Sequence, residues 1–169
     1  MPAYVDIPQA RLVALCDPDP EAQVLAKKRF ESLVEDRVKK AKERNDPDTV
    51  ERLEHDLENV VICEDIRQVI ERVKPDLVDI CTPTAQHESM AIAALRAGKH
   101  VLVEKPIALE TAAADRMVAA ARQAGRLLMV GHVLPFFPEF AFLAEAARSG
   151  RYGKLLGGQF KRVIARPDW

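Results

Sequence analysis

Five short aliphatic runs, each followed by a helix-patterned stretch, constrain this chain more than any other feature. They are Leu12-Val13-Ala14-Leu15-Cys16, Val60-Val61-Ile62-Cys63, Leu77-Val78-Asp79-Ile80-Cys81, His100-Val101-Leu102-Val103 and Leu127-Leu128-Met129-Val130. Runs of this length and composition read as strands buried on both faces of a parallel sheet. Strands that alternate with helices of 10 residues or more predict an α/β chain with a doubly wound parallel sheet. Strand by strand, the stops are turn formers: Asp17-Pro18-Asp19-Pro20, Asp65, Thr82-Pro83-Thr84 and Glu104-Lys105-Pro106.

The helices carry equally local signals. Asp46 is placed to cap a helix that has Pro47 at its first position, and Asp65 to cap another that Pro75 ends. Gly98 and Gly125 sit where helices of about 85–97 and 111–124 stop. Between Glu21 and Glu58 more than half the residues are charged, in mixed sign, which predicts a solvated helical hairpin over 21–58. A partner-binding or oligomerising arm is the competing reading of that segment. Beyond Gly131 the pattern changes to the stiff aromatic linker Pro135-Phe136-Phe137-Pro138, a helix over Glu139–Ser149, and a strand over Leu155–Ala165. The expected division is a dinucleotide-binding domain over 1–133 and the start of a second, α+β domain over 134–169.

Of 169 residues, 48% are hydrophobic and 30% charged, with a net charge of -1. That balance gives no reason to expect nucleic acid or an anionic membrane as partner. Cys16, Cys63 and Cys81 lack C-x-x-C spacing and read as reduced thiols, so neither a metal site nor a disulfide framework is expected. No apolar run nears the ~20 residues a membrane-spanning helix needs. Met1 to Asp6 has neither the basic nor the apolar region of a signal peptide, so a cytoplasmic location is expected.

Ligands of open α/β sheets bind at the carboxyl ends of the strands. Asp17, Thr82, Thr84, Glu104, Lys105 and His132 all follow predicted strands there, and His87 lies in the first turn of the helix after Thr84. A carboxylate at Asp17 suits ribose hydroxyls and repels a 2′-phosphate, while a turn-forming role before Pro18 competes with that reading. A lysine delivered to such an edge can hold a hydroxyl, and desolvation can bring it into proton-shuttling range. His87 and His132 each read equally well as site residues or as side chains with no ligand role. The first glycine of the sequence is Gly98, so no glycine-rich phosphate loop precedes these strands.

Over Asp76 to Gly153 the chain resembles the Gfo/Idh/MocA oxidoreductases. The residues that carry the likeness are Thr82-Pro83-Thr84 with His87, Ala97-Gly98-Lys99-His100-Val101-Leu102-Val103-Glu104-Lys105-Pro106, Met129-Val130-Gly131-His132 and Ser149-Gly150-Arg151-Tyr152-Gly153-Lys154. The resemblance implies a Rossmann-like sheet, incomplete here at its first strand, and NAD as cofactor, favoured over NADP by Asp17. It implies cofactor contacts from Asp17, Thr82, Pro83, Thr84, His87, Glu104 and Lys105, with Lys105 and His132 at the reacting centre. The substrate class it implies is a sugar, polyol or related alcohol, and a homo-oligomer would form through the second domain. That family's general base, a histidine in an Asp-x-x-x-His motif, would fall beyond Trp169. Hydride transfer by a longer chain is therefore the main expectation, with these 169 residues inactive alone. A ligand-binding module without turnover and an inactive truncated product are the alternatives.

Overall fold

The computed structural model describes residues 2–161 and 163. All five aliphatic runs form strands, four of them a residue or two shorter than the run and β4 its full length: β1 Ala14–Cys16, β2 Val61–Cys63, β3 Leu77–Ile80, β4 His100–Val103 and β5 Leu128–Val130. Every pairing is parallel. The strands fall into two sheets, β1 with β2 and β3-β4-β5. In the classic doubly wound order 3-2-1-4-5-6 these match positions 3-2 and 4-5-6. Position 1 is filled by no strand among the described residues, in line with the expected incomplete sheet.

Helices α1 Pro2–Asp6, α2 Pro20–Glu43, α3 Pro47–Asn59, α4 Ile66–Gln68, α5 Thr84–Arg96, α6 Thr111–Ala124 and α7 Pro138–Ser149 complete the order. Helix α4 continues as a π-helical turn over Val69–Val73, which the sequence did not suggest. It stops at Lys74, whose φ of 54° precedes Pro75. Asp46 and Asp65 cap as expected, accepting from the Thr49 N–H at 3.1 Å and the Arg67 N–H at 2.7 Å. Gly98 and Gly125 take positive φ, 76° and 61°, where a side chain would be strained.

Two cores follow from these elements. Strand register aligns Val78, Val101 and Leu128, and then Ile80, Val103 and Val130, on one face of the three-stranded sheet. Ala91, Ala94 and Leu95 of α5 and Met117, Ala120 and Ala121 of α6 pack onto that face. Alanines there let both helices approach the strands closely. The second core joins Phe30, Val34 and Val38 of α2 to Leu53 of α3 and Val5 of α1. That makes 21–58 a helical hairpin anchored by one apolar stripe, its other faces charged and wet.

The chain divides into two compact units, Met1–Val130 and Gly131–Trp169. The second holds a 3₁₀ turn, Leu134–Phe136, and α7, closed by Gly150 at φ 64°. The strand expected over Leu155–Ala165 does not form in residues 155–161, and 162, 164 and 165 lie outside the described residues. A strand forms only with a neighbour to satisfy its backbone, and no described segment pairs with this one. Among the described residues no helix is long and apolar enough to cross a membrane.

Candidate active site

The β3–β4 ladder brings two of the predicted segments side by side. Ile80 is in register with Val103, and the Glu104 N–H donates to the Ile80 carbonyl at 2.9 Å, one step past the strand end. The chain then turns through Glu104, Lys105 and Pro106, with a cis Lys105–Pro106 bond. All three residues are exposed. The Lys105 N–H donates to the Glu104 carboxylate at 3.0 Å, which folds that acid back over the turn. The Lys105 ammonium itself has no hydrogen-bond or ion-pair partner among the described residues.

Opposite stands the turn after β3. The Thr82 hydroxyl donates to the Met90 sulfur at 3.5 Å, and the Pro83 carbonyl accepts from the Gln86 N–H at 2.9 Å. Thr84 is the first helical residue, Pro83 holds the cap position, and no side chain caps α5. The first turn of α5 also holds no carboxylate, which leaves its positive end to whatever anion approaches the strand edge.

His87 differs from expectation. It is 1% exposed, with Nε2 2.8 Å from the Thr82 carbonyl oxygen and Nδ1 3.0 Å from that of Pro106. Both nitrogens face backbone carbonyls, so the buried ring touches the two turns from behind.

Asp17 follows β1, in the other sheet, and its N–H donates to the Cys63 carbonyl at 3.1 Å. Its Oδ1 accepts from the Asp19 N–H at 2.9 Å, an Asx turn, while Gln23 donates to its carbonyl at 2.6 Å. Its other carboxylate oxygen has no partner among the described residues. His132 lies in the second unit, exposed and without a hydrogen bond among the described residues. The β3–β4 register thus sets the Thr82–Thr84 turn, with His87 behind it, beside the Glu104–Lys105 turn, while Asp17 follows a strand of the other sheet and His132 belongs to the second unit.

One acid near the edge was missed from sequence. Asp79 interrupts the aliphatic β3, and its carboxylate accepts from the Tyr4 hydroxyl at 2.7 Å and from the Cys81 thiol at 3.5 Å. Burial, then Asp79, hold the Tyr4 hydroxyl well above its ordinary value. Desolvation of the sulfur, then Asp79, push the Cys81 thiol up to about 11. A charged residue inside a four-residue aliphatic strand was the available signal. Among the described residues no three metal-ligating side chains cluster.

For a dinucleotide, the residues present fit the two riboses: an open carboxylate oxygen at Asp17, and an unpaired ammonium at Lys105 beside an uncapped helix start. Residues 1–97 contain no glycine, so none of them forms the tight turn that lets backbone approach a pyrophosphate.

Residues 1–132 match a family described as an oxidoreductase family with an NAD-binding Rossmann fold. The chain is 37% identical over 110 residues to 1-carboxy-3-chloro-3,4-dihydroxycyclohexa-1,5-diene dehydrogenase of Comamonas testosteroni, covering 65% of this chain and 28% of that protein. It is 37% identical over 90 residues to myo-inositol 2-dehydrogenase of Thermotoga maritima, covering 53% and 27%. Both relatives are therefore more than three times as long as the part this chain matches. In fold it resembles the WlbA dehydrogenase of Bordetella pertussis, solved with NADH and UDP-GlcNAcA, with a TM-score of 0.66 at 24% identity over 86% of this chain and 34% of that one. The chain belongs to the Gfo/Idh/MocA oxidoreductase family, and residues 1–132 are its NAD-binding Rossmann fold.

Proposed function

We propose that this chain serves hydride transfer between a nicotinamide cofactor and an alcohol carbon of a sugar, polyol or related cyclic diol. The observation that carries the reading is the pairing of the Thr82–Thr84 and Glu104–Lys105 turns at the carboxyl edge of β3 and β4, in an NAD-binding family. NAD, when bound, supplies the hydride acceptor. Lys105 would donate from its ammonium to the nicotinamide ribose and to the substrate hydroxyl, holding the carbinol carbon in line to give up its hydride, while the hydroxyl proton would pass to a general base, the role this family gives to the histidine of its Asp-x-x-x-His motif. Glu104 keeps the turn closed and offsets the charge of Lys105. The open carboxylate oxygen of Asp17 accepts from the adenosine ribose and repels a 2′-phosphate, which favours NAD over NADP. The dehydrogenase names of both relatives, one acting on an inositol and one on a ring diol, support the substrate class. The compartment proposed is the cytoplasm.

Calorimetric titration of this chain with NAD and with NADP tests the cofactor assignment. NAD should bind about tenfold more tightly than NADP, or ~1.4 kcal/mol. Equal affinity for both would remove the role given to Asp17, and binding of neither would remove the cofactor site. We further propose that the 169-residue polypeptide alone does not turn over, because residues 1–97 hold no glycine for a pyrophosphate turn. Reduced nicotinamide accumulating from NAD and myo-inositol with this polypeptide would overturn that.

A further inference from the structure

Two turns carry the proposed nicotinamide end of the site, and one buried side chain touches both. His87 sits in the first turn of α5, 1% exposed, with Nε2 2.8 Å from the Thr82 carbonyl oxygen and Nδ1 3.0 Å from the Pro106 carbonyl oxygen. Carbonyl oxygens only accept, so each contact is made when the facing nitrogen carries a proton. A singly protonated ring ties one turn, and a doubly protonated ring ties both.

Ile107 and Ala108 pack against the core just beyond the second turn, but few hydrogen bonds hold the turn itself. The last ladder bond is that from the Glu104 N–H to Ile80, and the Lys105 N–H is taken by the neighbouring Glu104 side chain. From Glu104 to Glu110 there is no regular structure. The exposed Lys105 side chain has no partner of its own, so its position is set by its backbone.

We propose that His87 is a positioning residue: donating from Nδ1 to the Pro106 carbonyl it fixes the turn that presents Lys105, while its ring, wedged against the Thr82 carbonyl, keeps that turn beside the start of α5. The inference rests on the role given to Lys105 above. It replaces the expectation that His87 contacts the cofactor. Its value to the reaction is preorganisation, since an ammonium on a loose turn has to be ordered each time a hydroxyl binds.

Two substitutions separate the ring's two contacts. His87→Asn keeps an N–H donor near the Nδ1 position, facing Pro106, and His87→Gln keeps one near Nε2, facing Thr82. Amide hydrogen exchange by NMR on the unliganded chain reads Lys105 and Ile107 against Val101 and Val103 of β4. With His87→Gln and His87→Ala, exchange at Lys105 and Ile107 should quicken about tenfold, the loss of one hydrogen bond, with β4 unchanged. His87→Asn should restore protection to within about twofold of the parent chain. Unchanged exchange at Lys105 in His87→Gln would overturn the proposal. Equal acceleration at Val101 and Val103, unrescued by Asn, would also overturn it, since that is a purely structural histidine. Because no nucleotide is present in this measurement, a failure of NAD binding would sink the function proposed above without touching this result.

Discussion

Asp17 has one carboxylate oxygen in a turn bond, and a single atom exchange separates that bond from the role proposed for its charge. Its Oδ1 closes the Asx turn onto the Asp19 N–H, while the charge of the carboxylate is the feature proposed to select NAD. Asp17→Asn keeps an accepting oxygen and removes the charge. It should leave stability within about 0.5 kcal/mol and shrink the preference for NAD over NADP, read by thermal melting and calorimetry. Asp17→Ala removes the turn bond too and should cost about 1 kcal/mol more. Cys81 offers a pH test at the same strand edges. Its thiol is exposed yet pushed up to about 11, so at pH 8 it is almost entirely protonated and a poor nucleophile. Alkylation followed by mass spectrometry should quicken about tenfold per pH unit between 8 and 10, and a plateau near 9 would contradict the shift. The sign for stability is the matching one: the unfolded chain releases this proton near 9.0, so this contribution holds below that value and is lost as pH climbs toward 11. The strand-end positions of Asp17 and Lys105 were legible in the sequence because turn formers mark where β1 and β4 stop. His87 was not, because a residue in a first helical turn can face the edge or the turns behind it, and tertiary packing decides which.

The helical hairpin is held at its base by arginines rather than by its tip. Arg52 of α3 donates to the Val5 carbonyl at 2.9 Å and the Ala10 carbonyl at 3.2 Å, and lies 3.9 Å from the buried Asp56. Arg11 pairs with that same carboxylate and contacts His55. These bonds tie α3 to α1 and to the segment between α1 and β1. Arg52→Met keeps the apolar stem and removes the fork, leaving two carbonyls unpartnered. It should cost about 2 kcal/mol, seen as a lower urea midpoint at unchanged slope. An unchanged midpoint would mean that the apolar stripe from Phe30 to Leu53 alone anchors the hairpin. Element by element, the strands, both Asp caps and the Gly98 and Gly125 stops were readable, because each depends on neighbours within a few residues. The π-helical turn at Val69–Val73 and the unformed strand after Leu155 were not. Both depend on what lies alongside in space, and an aliphatic run with no neighbour stays unpaired however strong its β propensity.

At the scale of the molecule, the sequence located the five strands that form, added one over Leu155–Ala165 that does not form in residues 155–161, and could not show which of them pair. Pairing split them into two sheets because position 1 of the classic order is filled by no described strand. Burial is just as uneven. Unit Met1–Val130 holds both cores, whereas no residue of α7 is buried, and Phe136, Phe142, Leu156 and Phe160 are all exposed. Backbone that buries so little opens at small free-energy cost, and proteases cut where backbone opens. Limited trypsin digestion should therefore cleave first after Arg148, Arg151, Lys154 or Lys161, all exposed, and leave a resistant species that retains residues 1–130. Arg29 and the lysines of α2 are exposed too, yet each sits on a helix pinned by Phe30, Val34 and Val38, so cleavage there requires that core to open. The order of cuts, followed by intact-mass spectrometry, tests the proposed division near residue 133. A first cut among residues 27–44 would show that the hairpin opens before the second unit does, and the boundary would then have to be drawn through the first core instead.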